Sequence, residues 1–171
     1  KVVPSTSTAV TLVGSTVSGE TLIGESRVGT ATERLRSVAL LPTNARAHPE
    51  AKKAIEEADL IILGPGSLFT SIVPNLLVED LAASISNSDA LKMYVCNVAQ
   101  QPGETEGYSV LDHLNVVRHY AGDRSVNLVI VNGNLLRDGP PHPARLVNPD
   151  TDRGDRTIYV QADVIDESNP V

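Results

Sequence analysis

Three short apolar runs, residues 59–63, 92–96 and 126–131, alternate with segments of helical periodicity, and that alternation restricts the chain to very few folds. Short apolar runs bounded by turn residues read as strands, and strand–helix–strand order makes neighbouring strands parallel with right-handed crossovers. The expected class is α/β, a three-layer α/β/α arrangement around a mainly parallel sheet. Asp59-Leu60-Ile61-Ile62-Leu63 has no polar residue within its apolar stretch and so reads as a fully buried strand.

The helical segments are separately recognisable. Pro49 suits a first helical turn, and Ala51, Ala54, Ile55 and Ala58 then form one narrow apolar face opposite Lys52, Lys53, Glu56 and Glu57. Leu77, Leu81 and Ile85 recur every four residues along a second helix, with Asn87-Ser88-Asp89 at its exit. In a third, Ser109 and Asp112 have capping-box spacing, Val110, Leu114, Val117 and Ala121 form the buried stripe, and Gly122 ends it.

The first thirty residues are β-like. Thr8, Val10 and Leu12 alternate, Ser18-Gly19 marks a turn and Glu20 to Ile23 returns, which predicts an N-terminal β-hairpin. The echo of Thr11-Leu12-Val13-Gly14 in Thr21-Leu22-Ile23-Gly24 fits two hairpin arms better than a solenoid repeat. A further apolar run spans residues 37–42. After Gly133, the prolines 140, 141, 143 and 149 and Arg153-Gly154 read as loop before a late strand at 157–160. With 171 residues, 41% of them apolar, one domain over 1–171 is expected.

Composition narrows the partners. A net charge of −7 argues against an extended nucleic-acid or anionic-membrane surface, which needs clustered Lys and Arg, while leaving a single nucleotide compatible. Phe69 is the one Phe, Trp is absent, and stacking platforms for single-stranded nucleic acid are therefore not expected. Lone Cys96 ends an apolar run, predicting a buried, inert thiol and a reducing compartment, with the cytoplasm as the expected location. No run of eighteen apolar residues exists and KVVPSTST lacks a signal-peptide core, so no membrane crossing is expected. His48, His119 and His142 show no metal-ligand spacing with one another or with Cys96, and no zinc site is expected.

Ligands of parallel α/β sheets bind beyond the carboxyl ends of the strands, and two unusual loops leave such ends. The first, within GPGSLFTSIVPNLL (Gly64–Leu77), breaks a strand sharply at Gly64-Pro65-Gly66 and presents backbone N–H groups beside the hydroxyls of Ser67, Thr70 and Ser71. That is equipment for phosphate oxygens, although the same turn also occurs where nothing binds. It is neither a Walker A loop nor G-x-G-x-x-G, so cationic help has to come from elsewhere. The second loop, NVAQQPGETEGYS, carries Asn97, Gln101, Glu104, Thr105 and Glu106, suited to base or ribose recognition or to a hydrated Mg²⁺, or alternatively a plain solvated turn. Asp112 and His113 follow, best explained as a helix cap and a surface or supporting histidine.

GPGSLFTSIVPNLL and CNVAQQPGETEGYSVLDH resemble the signature of the YvcK-type gluconeogenesis factors, of the superfamily that includes phospholactate transferase (CofD). The transferase branch reads more like GPSNPxTS in the first loop, so the similarity is to the gluconeogenesis-factor branch. It implies a cytoplasmic, Rossmann-like protein that binds a nucleotide-sugar such as UDP-N-acetylglucosamine and supports cell shape and wall synthesis during gluconeogenic growth. Gly64, Gly66, Ser67, Thr70, Ser71 and Asn75 match the first motif, and Asn97, Gln101, Gly103, Glu104 and Thr105 the second.

The family's glycine-rich GGGTG-type turn has no counterpart among these 171 residues. The chain is thus similar to the C-terminal portion of such proteins, which implies an incomplete nucleotide site and leaves the catalytic residues unknown. Two further readings stand: a Mg²⁺-dependent transferase acting on a nucleotide-activated small acid, and an interaction scaffold using acidic loops 123–127 or 150–155. A sheet edge left open also favours a homo-oligomer of unspecified size.

Overall fold

The computed structural model describes residues 1–134, 145–151, 154 and 156–164. The strands are β1 (Thr11–Thr16), β2 (Thr21–Ile23), β3 (Leu35–Leu41), β4 (Leu60–Leu63), β5 (Leu91–Val95), β6 (Leu128–Asn132) and β7 (Ile158–Ala162). The α-helices are α1 (Glu25–Gly29), α2 (Pro49–Glu56), α3 (Val73–Leu76), α4 (Glu79–Asn87) and α5 (Val110–Ala121). A π-helical turn, Leu68–Ile72, precedes α3, and a 3₁₀ turn, Asp123–Ser125, follows α5.

The expected hairpin is present: β1 and β2 pair antiparallel around the Ser18-Gly19 turn, with Gly14 opposite Leu22. The apolar run that follows joins them rather than the larger sheet. Leu35–Leu41 pairs antiparallel with β1, giving a three-stranded sheet β2-β1-β3. The expected parallel sheet is separate, with the order β4-β5-β6-β7, and the late strand is its fourth member. One continuous core, from Leu12, Val28 and Val38 through Leu68, Tyr94 and Leu114 to Val129, joins the two sheets. Tyr120 on α5 ties them further by accepting the Val38 N–H at 3.2 Å.

Each strand of the parallel sheet steps the same way, so its right-handed crossovers land on one face. There α3, α4 and α5 pack on one another over Ile61, Leu63, Tyr94 and Val129. On the other face Ile62, Met93, Leu128 and Ile158 stand in register across all four strands. Residues 59–63 are therefore not buried on both sides: Leu60 and Ile62 remain 44% and 54% exposed, because the described helices cover only the opposite face.

Two helices also differ from the sequence expectation. Leu77, Leu81 and Ile85 do not lie on one helix: the chain turns by 80° between Leu68–Leu76 and Glu79–Asn87, around Val78, whose backbone is extended. The face predicted for α2 is shallow, with Ala51, Ile55 and Ala58 half-buried and Ala54 exposed. By contrast α5 follows its pattern, with Val110, Leu114, Val117 and Ala121 buried and Gly122 beyond its end at φ 87°. Among the described residues no single helix is long and apolar enough to cross a membrane. Prolines 140, 141 and 143 and Arg153 lie outside the described residues.

The Ser109–Asp112 capping box is complete: the Ser109 hydroxyl accepts the Asp112 N–H at 3.2 Å, and the Asp112 carboxylate accepts the Ser109 N–H at 2.8 Å. The bond from the Ser109 backbone, with the Ser109 hydroxyl, His113 and Arg34 adding to it, holds the Asp112 carboxyl below its ordinary range. Its stabilisation is present above the unfolded carboxyl pKa and lost as pH falls through the lower folded value. Asp112→Ala is expected to cost about 1 kcal/mol in urea unfolding at pH 7 and to narrow the gap from wild type as the pH is lowered into the acid range.

Candidate functional site

The two glycine-proline loops leave the carboxyl ends of β4 and β5, which are hydrogen-bonded neighbours, and they meet. Gln101 Nε2 donates to Ser67 Oγ at 2.8 Å. Glu104 reaches across the same gap: its carboxylate accepts from the Phe69 N–H at 3.3 Å and from the Thr70 hydroxyl at 3.4 Å. The two bends are thus stitched together by side chains of the second loop.

The first loop is shaped by its neighbours. Gly64 has φ 81°, and a Cβ there would stand 2.9 Å from the Val95 carbonyl oxygen, so no other residue fits the bend unchanged. Ser67 caps the π-helical turn, its carbonyl accepting from Ser71 N at 2.9 Å and Ile72 N at 3.1 Å, while Leu68, Phe69 and Ile72 anchor the turn in the core. Asn75 is held from both sides, donating to the Ser71 carbonyl at 2.7 Å and accepting from the Ser5 hydroxyl. Of this loop Ser71 and Asn75 are exposed, and Gly66, Ser67 and Thr70 half-buried.

Most of the second loop is not a solvated turn. Gly103, Glu104 and Thr105 are buried; Thr105 Oγ1 accepts the Gln101 N–H at 2.9 Å, and Leu35 N donates to the Gly103 carbonyl at 3.3 Å. A Cβ on Gly103 would fall 1.8 Å from the Ala31 carbonyl oxygen, so the connection from α1 to β3 lies directly on this loop. Gly103, Glu104 and Thr105 therefore sit behind the surface and position it, whereas Asn97 and Gln101 are half-buried. Asn97 Nδ2 donates to Gln101 Oε1 at 3.5 Å, and its Oδ1 is buried without a hydrogen-bond partner. Glu106 is exposed.

Burial pushes the Glu104 carboxyl up, opposed by the bonds from Phe69 and Thr70. Cys96 is buried as expected, and burial raises its thiol to about 12, consistent with an inert role. Of the two readings of His113, burial removes the surface one and leaves the supporting one: it is fully buried, with Nδ1 at 2.8 Å from the Ser109 carbonyl oxygen. That contact makes Nδ1 the protonated nitrogen and leaves Nε2 a buried, unpaired acceptor; burial depresses the ring's pKa.

Sequence reasoning missed several contributors. Gln100 ties the loop to residues 145–147, donating to the Leu146 carbonyl at 3.2 Å and accepting the Gly107 N–H at 2.8 Å. Arg34 brings positive charge beside the second loop, its guanidinium 5.1 Å over the Tyr108 ring. With Arg36, Phe69, Asn115 and His119 it lines a groove of about 290 Å³. Nothing local marks these residues, because their partners lie far away in sequence.

A parallel α/β sheet with ligand-type loops at adjacent carboxyl ends defines a Rossmann-like protein. One solved likeness is a Bacillus halodurans protein, matched at TM-score 0.82 and 32% identity over 94% of this chain and 54% of that one. A second crystal structure of that same protein, described as a member of the UPF0052 family, matches at TM-score 0.75 and 38% identity over 80% of this chain and 44% of that one. The model of the family described as 2-phospho-L-lactate transferase CofD matches residues 1–165, and the chain belongs to that family. Within it the chain is similar to the gluconeogenesis factor of Halalkalibacterium halodurans, 38% identical over 81% of this chain and 43% of the relative. The Bacillus subtilis gluconeogenesis factor is likewise 38% identical, over 81% of this chain and 44% of that protein. The chain thus spans less than half the length of these two relatives.

Two substitutions separate the roles of Glu104. Glu104→Ala strands the Phe69 N–H and the Thr70 hydroxyl and is expected to cost about 2–3 kcal/mol in urea unfolding. Glu104→Gln keeps an acceptor and is expected to stay within about 1 kcal/mol at pH 7. The raised folded pKa means the native state holds its proton longer, so in wild type this group lowers stability as pH rises from the unfolded carboxyl value to the folded one, and Gln removes that slope.

Proposed function

We propose that this chain supplies the paired loops of a nucleotide-sugar-binding regulatory protein of the gluconeogenesis-factor branch, acting in the cytoplasm in cell-shape control, wall synthesis and gluconeogenic growth. The observation that carries the reading is the Gln101–Ser67 and Glu104–Phe69/Thr70 stitching, which holds two polar loops as one surface at the ligand end of a parallel sheet. In this reading Gly64, Gly66, Ser67 and Ser71 serve the phosphate and Asn97 and Gln101 the nucleoside, while Thr70 and Asn75 hold the loop through their bonds to Glu104 and to Ser71 and Ser5. Glu104, Thr105 and Gly103 fix the geometry from behind.

The family model's description supports a second reading, a transferase of the phospholactate type acting on a nucleotide-activated small acid. Its Mg²⁺ finds no fitting ligand set here: both Glu104 oxygens already accept protein donors, and the described residues hold no cluster of three or more His, Cys, Asp or Glu suited to a metal. No reaction step is assigned to this chain on its own residues.

Calorimetry with UDP-N-acetylglucosamine, UDP and GDP on the chain extended to the length of its relatives tests the proposal. The UDP-sugar is expected to bind more tightly than about 1 mM and to lose about tenfold, or 1.4 kcal/mol, in Gln101→Ala. No heat at millimolar UDP-sugar overturns it, and turnover of a nucleotide-activated hydroxy acid selects the transferase.

A further inference from the structure

A second polar recess lies at the amino ends of β5, β6 and β7, the opposite end of the sheet from the two loops and, along the five residues of β5, roughly 16 Å away. Its volume of about 590 Å³ is in the range of small-molecule pockets. Lys92, Arg118, Arg124 and Arg156 line it, four of the chain's fourteen Lys and Arg, against the two acids Asp89 and Asp123. In a chain of net charge −7 that concentration is a local reversal of sign. The walls are fixed by bonds between the strand ends. The Lys92 N–H donates to Asn127 Oδ1 at 3.0 Å, the Asn127 N–H to the Lys92 carbonyl at 2.8 Å and the Ile158 N–H to the Asn127 carbonyl at 2.9 Å, while Arg118 donates to the Thr157 hydroxyl.

Lys92 is the residue that the fold alone does not explain. It is 4% exposed, yet of its three ammonium donors only one has an acceptor among the described residues, the Ser88 carbonyl at 2.7 Å beyond the end of α4. No carboxylate of the described residues forms an ion pair with Lys92, Arg124 or Arg156. Burial, with Arg124 beside it, pulls the Lys92 ammonium below its ordinary range, and Asp89 opposes. Capping α4 uses one donor and needs no arginine, whereas a buried ammonium held beside arginines is a cost that a bound anion offsets. We propose that this recess binds a phosphate group, free or carried on a small molecule, with Lys92 at its floor and the exposed Arg124 and Arg156 at its rim. Phosphate fits better than a carboxylate because its oxygens can accept from several cationic donors at once, and here they come from three separate elements: β5, the 3₁₀ turn and the approach to β7. The recess is separate from the loops, and its occupancy does not depend on what they bind.

Calorimetry with inorganic phosphate, glucose 6-phosphate and poly-glutamate, on the chain extended to the length of its relatives, tests it. At least one of the two phosphates is expected to bind with a Kd below about 1 mM. Tighter binding of glucose 6-phosphate identifies a phosphate ester as the ligand, and tighter binding of inorganic phosphate identifies the free ion. Arg124→Gln and Arg156→Gln, measured separately so that a misfolded variant leaves the other to decide, are each expected to weaken that binding at least about fivefold. Arg27→Gln and Arg46→Gln remove the same charge from exposed positions elsewhere and are expected to change it less than about twofold. No heat from either phosphate at about 10 mM overturns the proposal. So does binding that Arg124→Gln and Arg156→Gln leave intact, or that Arg27→Gln and Arg46→Gln weaken equally. Binding of poly-glutamate alone assigns the recess to an acidic peptide and overturns it as well.

Discussion

The bond between the Glu104 carboxylate and the first turn after β4 is the interaction on which the candidate site depends. A carboxylate buried at 2% exposure is costly unless its oxygens are satisfied, and here a backbone N–H and a hydroxyl of the other loop satisfy them. Neither loop can shift without stranding a buried acceptor. Gln101 adds a second stitch, so the two loops behave as one surface rather than two turns that happen to be adjacent.

The antiparallel sheet is part of the same device. Its α1–β3 connection lies on Gly103 closely enough to forbid any side chain there, and Leu35 donates to the Gly103 carbonyl. The small sheet therefore presses the second loop against the first, while Tyr120 binds it to α5. Arg34, carried by the same connection, stacks on Tyr108 and places a cation beside loops that have none of their own. A missing phosphate-neutralising lysine in the first loop is thus compatible with anion binding at its border.

Elements with strong local signals were legible from the chain alone. The capping box at Ser109 and Asp112, the stripe of α5 and the hairpin turn at Ser18-Gly19 depend on neighbours within a few residues, and they appear where periodicity places them. The meeting of the loops followed from the topology of adjacent parallel strands. What local pattern cannot carry is the partner of a distant segment. Whether residues 37–42 join the hairpin or the parallel sheet, whether Glu104 faces solvent or Phe69, and whether His113 is covered are all decided by contacts between remote segments. Residues 59–63 illustrate the limit most clearly: their unbroken apolar character indicates two buried faces, while the described helices cover one.

That mismatch leaves one face of the parallel sheet open, while the loop pair is assembled at the carboxyl ends of β4 and β5. The most direct measurement is a crystal structure of the chain, extended to the length of its relatives, with a UDP-sugar bound. Diphosphate oxygens within hydrogen-bond distance of the backbone between Gly64 and Leu68, with the nucleoside against Asn97 and Gln101, are the predicted result. A nucleotide seated instead in the Arg34–Arg36 groove, with both loops unoccupied, would contradict it.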